Sequence, residues 1–457
     1  MPRTIVINIA GLSRSLLDEV PSLTALGERG MVCDLEPVLP AVTCTMQATL
    51  TTGRPPSHHG IISNGLYFFD TAEVRFWDQS AHLVTAPRVW DLPISDLDFQ
   101  ISNLRSRISD RRPKVALLFW QQSLYGTADV LLTPKPVHGP GGELIQDCYS
   151  RPADLYGRLA AGESALEPGR PRGPFNLMHY WGPMAGVEAS RWIADASLQV
   201  WRQERPDLLL TYLPHLDYSG HRHGPASEEH RAAARDLEPL VAPLIAAADA
   251  DGARILVLSE YAFLPVGRTV APNRALREAG LLSMREVNGA EYLHLGDSRA
   301  FAMVDNQAAH VYFPRAGDLA ADVRNVKRLL KNLDGVAEVL GRTEMAERDL
   351  DHPRTGELVA LAEPDAHFVY PWWLDDAKAP PFARTVDIHA KPGFDAAELF
   401  IDPETKAVPL SADRVRGSHG LVLDDGRGWG VFLASPAPEE LAGRPSLRAT
   451  EIAHLMM

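Results

Sequence analysis

Cysteine is nearly absent: Cys33, Cys44 and Cys148 are the only three, and no two stand in a C-x-x-C spacing. That excludes a disulfide framework and a thiolate zinc site. Long apolar runs are missing as well. Nothing approaches the roughly 18 consecutive apolar residues of a membrane-spanning helix. The chain opens with Met1-Pro2-Arg3 and passes at once into TIVINIAGL, too short and wrongly flanked for a secretory signal. The expectation is therefore a reducing, cytoplasmic setting. Basic residues are the minority charge, 45 against 59 acidic, for a net charge of −14. Such a balance argues against adhesion to a nucleic-acid polymer or an anionic membrane. An anionic small-molecule substrate would need a local positive centre, such as a metal.

What is present is an ordinary globular composition, 45% hydrophobic and 23% charged, over 457 residues. Four short apolar runs, TIVINIA (4–10), KVALLFW (114–120), DLLLTYL (207–213) and RILVLSE (254–260), alternate with helical patterns. The fold class this predicts is α/β, a mostly parallel central sheet sandwiched by helices. The segment from Ser227 to Asp251 reads as a crossover helix stopped by Gly252. From Pro265 to about Leu410 the texture changes to Pro- and aromatic-rich pieces with strand-like AFAMVD and AHVYFP. This predicts a core over 1–264, an inserted α+β region over 265–410 and a return to the core over 411–457. The Pro/Gly-rich stretch around 133–175 reads as an irregular surface excursion. No solenoid or propeller repeat is present.

In open α/β sheets ligands gather at the carboxyl ends of strands, so the residues just past each apolar run are the first candidates. After DLLLTYL comes PHLDYSGHRHGP, where Asp217 and His221 stand four apart, one face of a helical turn. Carboxylate plus imidazole is a zinc-like pairing, although a solvated loop of hydrogen-bonded histidines has the same spelling. Thr43 precedes a short helix closing at Gly53. Its hydroxyl sits either where a helix N-terminus favours phosphate or simply as an N-cap. Glu260 and Tyr261 follow the strand at 254–260, and His419 lies between small residues in RGSHGL.

The order and wording of these segments resemble the alkaline phosphatase superfamily, in particular its type I phosphodiesterase/nucleotide pyrophosphatase branch and the related phosphonoacetate hydrolases. The specific pieces are DYSGHRHGP, matching D-x-x-G-H-x-x-G-P, and T-x-x-x-x-x-T-L-x-T-G-x-x-P-x-x-H-G-I-I from Thr43. The resemblance implies two divalent cations about 4 Å apart, zinc or else manganese. It implies Thr43 as nucleophile and Asp217, His221 and His419 as ligands of one cation. It also implies a small-molecule phosphoester as substrate.

The chain departs from the pattern where the other cation should lie. Ala10-Gly11 stands for the Asp-Gly at the end of the first strand, and Glu260-Tyr261 for an Asp-His pair. Met46 and Gln47 replace an Asn-His after the nucleophile. Three outcomes are open: a site rebuilt from Glu260, Tyr261 and Asn8, ligands drawn from Asp387, His389 and Asp395, or one cation only. Gln47 and Asn64 are the candidates for a substrate-orienting amide, and His389 is the fallback ligand to His419. His59 aligns with a structural histidine, and His58 and His223 read as loop residues. Trp77 and the tryptophans of PWW at 371–373 stack on a ligand or pack internally. The competing functions are a phosphodiesterase or pyrophosphatase, a phosphonate or phosphomonoester hydrolase, and a single-metal or noncatalytic binding protein.

Overall fold

A computed structural model describes residues 3–92, 112–141 and 143–457. The apolar runs become the middle of a nine-stranded sheet. Thr4–Ile9 lies between Leu208–Leu213 and Arg254–Leu258, parallel to both. Val115–Leu118 and Val130–Pro134 continue the parallel order outward. Gly430–Ser435 pairs antiparallel with Arg254–Leu258, Met31–Glu36 pairs antiparallel with Gly430–Ser435, and Ser446–Arg448 runs parallel to Met31–Glu36. Every residue of Thr4–Ile9 and Leu208–Leu213 is buried, as a sheet covered on both faces requires. Ile5, Ile7 and Ile9 pack under the helices Pro21–Glu28, Val187–Gln203 and Glu238–Ala250. Val6 faces the other way, toward Met46 and Leu50 of the helix Thr43–Thr52.

Three expectations about local structure are corrected. The stretch 227–251 is two helices, Glu228–Arg235 and Glu238–Ala250, because Pro239 offers no N–H and suits only the first turn of a new helix. Thr43 is the first residue of its helix rather than the cap, a position Val42 holds; Gly53 closes the helix at φ 65°. The Pro/Gly-rich stretch is not all excursion, since Cys148–Arg151 pairs antiparallel with Val130–Pro134 as an edge of the main sheet. Gly142 within it lies outside the described residues.

Between Arg254–Leu258 and its neighbour Gly430–Ser435 the chain builds a second sheet, antiparallel, in the order Phe301–Asp305, Ala308–Tyr312, Leu358–Ala362, Val336–Leu340. A short antiparallel pair, Leu264–Pro265 with Gly417–Ser418, stands at the passage to it. Trp372 and Trp373 are 1% and 0% exposed in its core, which leaves the PWW pair to packing. Among the described residues no helix is long and apolar enough to cross a membrane.

Candidate metal centre and nucleophile

Asp217 and His221 sit on the helix His215–His223, which starts just past the strand Leu208–Leu213. Their i, i+4 spacing puts both side chains on one face, with Asp217 Oδ2 3.6 Å from His221 Nε2. His419 arrives from the segment after Gly417–Ser418, its Nε2 3.5 Å from Asp217 Oδ1. Glycine permits this approach: a Cβ on Gly417 would lie 2.4 Å from the Gly220 carbonyl oxygen, and one on Gly220 2.6 Å from the Phe263 ring. The three ligand atoms lie within 4.8 Å of one another, and no other such group of three occurs among the described residues.

The ring orientations suit a cation. His221 Nδ1 bonds the Gly417 carbonyl at 2.9 Å and His419 Nδ1 bonds that of Ala41 at 2.8 Å. A carbonyl only accepts, so each ring carries its proton on Nδ1 and presents the Nε2 lone pair to Asp217. His221 Nε2 is buried without a hydrogen-bond partner. Burial lowers the His221 pKa to about 4, so the ring is neutral at pH 7. Burial pushes Asp217 up, but His221, His419 and Tyr261 together hold it below the usual carboxylate value. One carboxylate and two imidazoles are a donor set that fits zinc or manganese.

Thr43 is 3% exposed, and its hydroxyl lies 2.9 Å from that of Tyr261. Tyr261 in turn donates to Asp217 Oδ1 at 3.0 Å. One hydroxyl therefore separates the nucleophile candidate from the ligand cluster. The Tyr261 ring is stacked on His419, centroids 3.6 Å apart and planes 4° from parallel. Beside it, Glu260 Oε1 accepts from Asn8 Nδ2 and from Gln47 Nε2, each at 2.7 Å. Glu260 Oε2 and Asn8 Oδ1 are buried without hydrogen-bond partners. Burial raises the Glu260 pKa to about 8 against the opposing bonds from Gln47 and Asn8. Ala10 is fully buried and supplies no ligand atom.

The two amide candidates are turned toward protein. Gln47, one helical turn past Thr43, donates to Glu260 and accepts from Gln121 N at 2.7 Å. Asn64 accepts from Cys44 N at 2.9 Å and donates to Asp305 Oδ1 at 3.1 Å, which fastens the first turn of the Thr43 helix. The fallback His389 is corrected: it is exposed and takes no part in the ligand cluster. The reason is local. Asp387 accepts from the backbone N–H of His389 and Ala390 at 3.1 and 3.0 Å, a turn that leaves the imidazole outside. Asp395 is engaged with the buried Lys391 at 2.7 Å, and Glu398 binds the same ammonium at 2.5 Å. His59 is internal, bonded to Thr49 at 2.9 Å and Ile61 N at 3.1 Å, while His58 and His223 are exposed. Trp77 is half-buried, 6.3 Å from Phe394.

Sequence reasoning missed Asp305 and Phe394. Asp305 accepts from Ser63 Oγ at 2.6 Å and from Asn64 N at 2.8 Å, so the second sheet braces the Thr43 helix. Its one signal is a carboxylate closing the apolar run AFAMVD. Phe394 lies 5.4 Å from His221 and 5.4 Å from Trp181, an aromatic wall against the ligand cluster.

Comparisons with known proteins place the fold and the family. Over its full length the chain is similar in structure to phosphonoacetate hydrolase from Sinorhizobium meliloti 1021, solved with phosphonoformate or phosphonoacetate; the TM-score is 0.62 at 18–19% identity, covering 95% of that chain. Murine ectonucleotide pyrophosphatase/phosphodiesterase 5 superposes with a TM-score of 0.57 at 14% identity, covering 99% of this chain and 94% of that one. An inactive form of it has been solved with AMP. In sequence, an uncharacterised pyrophosphatase/phosphodiesterase of Schizosaccharomyces pombe is 25% identical over 313 residues, 66% of this chain and 52% of that protein. Ectonucleotide pyrophosphatase/phosphodiesterase 1 of Saccharomyces cerevisiae is 27% identical over 250 residues, 50% of this chain and 28% of that protein. The chain thus spans about half or less of these relatives' lengths. The family profile matches residues 4–395, a span that holds Thr43, Asp217 and His221 and stops before His419. With that match across most of its length, the chain belongs to the type I phosphodiesterase/nucleotide pyrophosphatase family.

Proposed function

We propose that this chain hydrolyses small-molecule phosphoesters of the phosphodiester or pyrophosphate kind, with Thr43 as nucleophile and one divalent cation, zinc or manganese, held by Asp217, His221 and His419. The observation that carries the reading is the joining of Thr43 to the three-ligand group through the single hydroxyl of Tyr261. Family membership supports it. A cation bound there supplies positive charge for the phosphoryl oxygens.

The chain's own residues do the rest. The helix Thr43–Thr52 turns its positive end toward the nucleophile. Asn64 and Asp305 fix its first turn. Thr43 Oγ gives up its proton and forms the bond to phosphorus as the leaving oxygen departs and takes up a proton, and water then cleaves the phospho-threonine, returning the proton to Thr43 Oγ. The near-complete burial of Thr43 and His221 favours a small reacting group over a polymer. The division into a core over 1–264 and 411–457 and an inserted region over 265–410 belongs to the same reading, the inserted region bringing Asp305 and Phe394 to the site. So does a cytoplasmic setting, which the three free, buried cysteines support.

A second reading, a cation-dependent binding protein without turnover, is favoured by one observation. Ala10 offers nothing to a second cation, and the Glu260 carboxyl is held by two amides. An aryl phosphodiester separates the two. Turnover that needs zinc or manganese, stops with chelator and is lost in Thr43→Ala is the expected result; full activity in Thr43→Ala sinks the reading. Preference for phosphonoacetate over the diester would select the phosphonate chemistry.

A further inference from the structure

The family pattern calls for a second cation on the Ala10, Glu260 and Tyr261 side of Thr43, and the residues there do not fit one. At Ala10 a carboxylate is replaced by a buried methyl group. At Tyr261 an imidazole is replaced by a phenol whose position is fixed three times over: by Thr43 at 2.9 Å, by Asp217 at 3.0 Å and by the His419 ring stacked at 3.6 Å. At Glu260 a carboxylate remains, but two amide groups, Asn8 Nδ2 and Gln47 Nε2, aim their N–H bonds at one of its oxygens. Those donors set the positive ends of their dipoles against Oε1 and leave Oε2 as the one Glu260 oxygen without a partner. Gln47 is itself held by Gln121 N at 2.7 Å, so the donor cannot turn aside without breaking a second bond.

We infer that this half of the centre holds no second cation and that the Tyr261 hydroxyl takes over that ion's positioning of Thr43, giving a one-cation centre. The inference rests on the reading of Asp217, His221 and His419 as the site of the one cation. The proton count supports it. The Tyr261 hydroxyl donates its proton to Asp217 Oδ1. The 2.9 Å contact between Thr43 and Tyr261 then requires the Thr43 proton. Thr43 Oγ is thereby left with its lone pairs turned away from Tyr261, fixed in direction without a metal bond. The Glu260 clamp holds the strand end from which Tyr261 projects, and ties it to the nucleophile's helix through Gln47 and to the first strand through Asn8.

Metal analysis of the full chain, equilibrated with zinc or manganese and freed of excess, tests this first. One equivalent per chain is expected. Two equivalents overturn the inference while leaving the first cation site standing. None sinks the reading of Asp217, His221 and His419 and the inference with it. The triple variant Ala10→Asp, Glu260→Asp, Tyr261→His restores the family's ligand types and is expected to take up a second equivalent; a folded triple variant that still holds one overturns the assignment of these positions as the cause. Tyr261→Phe keeps the ring on His419 and covers a triple variant that fails to fold. It is expected to keep one equivalent and to lower kcat on an aryl phosphodiester about 10–100-fold, with KM changed less than about twofold. An unchanged kcat, or a loss of the bound cation, overturns the role given to the hydroxyl.

Discussion

Replacing Glu260 by glutamine should make the metal-free protein more stable relative to the parent as pH rises, and the size of the effect follows from the burial of one carboxyl. The group is pushed from its ordinary 4.5 to about 8, burial outweighing the hydrogen bonds from Gln47 and Asn8. Between those values the folded protein keeps a proton that the unfolded chain has released. Stability is then complete below the unfolded pKa and falls by about 1.4 kcal/mol per pH unit until the folded pKa is passed. At pH 7 the accumulated cost is roughly 3 kcal/mol. Glutamine has no proton to lose, and its amide oxygen still accepts from Asn8 and Gln47. Urea unfolding of both proteins in chelator at pH 5, 6, 7 and 8 measures the difference. The other buried groups titrate alike in both and cancel. The variant should gain on the parent at each step; a difference that stays flat from pH 5 to 8 refutes the claim that Glu260 is buried and neutral.

Two further changes probe how the second sheet supports the centre. Lys391→Met leaves Asp395 and Glu398 buried without their cation and should cost about 3–5 kcal/mol in urea unfolding, part of it recovered by adding Glu398→Gln. Asp305→Ala removes the common acceptor of Ser63 and Asn64, at about 1–3 kcal/mol for each buried donor left unpaired, read from the shift in thermal midpoint.

The central sheet was legible because burial on both faces leaves a local mark: Val, Ile and Leu in runs of strand length, as in Thr4–Ile9 and Leu208–Leu213. The three candidate ligands stood out as residue types at strand ends, and His419 was singled out by wording rather than by spacing. What could not be read is pairing across the chain. The Gln47–Glu260 bond joins residues 213 positions apart and the Asn64–Asp305 bond 241 apart. A glutamine that clamps a carboxyl is spelled like one that awaits a ligand. The same holds for His389, whose turn is set by Asp387, and for the edge strand Cys148–Arg151, whose partner rather than its composition makes it a strand. The break at Pro239 was written in the chain and follows from proline's missing N–H.

The ligand cluster also sets a clock. Asp217 and His221 lie on one helix, but His419 follows about 200 residues later, and Gln307 N holds its carbonyl at 3.1 Å. At about 5–20 residues per second, synthesis of the intervening stretch takes roughly 10–40 s. During that interval a nascent chain carries Asp217 and His221 without their third partner, and Tyr261 without the ring it stacks on. On the proposed reading cation capture belongs to the end of synthesis, after the second sheet has closed around Gln307, and a ribosome-bound chain ending before His419 should bind zinc no better than an isolated Asp-His pair.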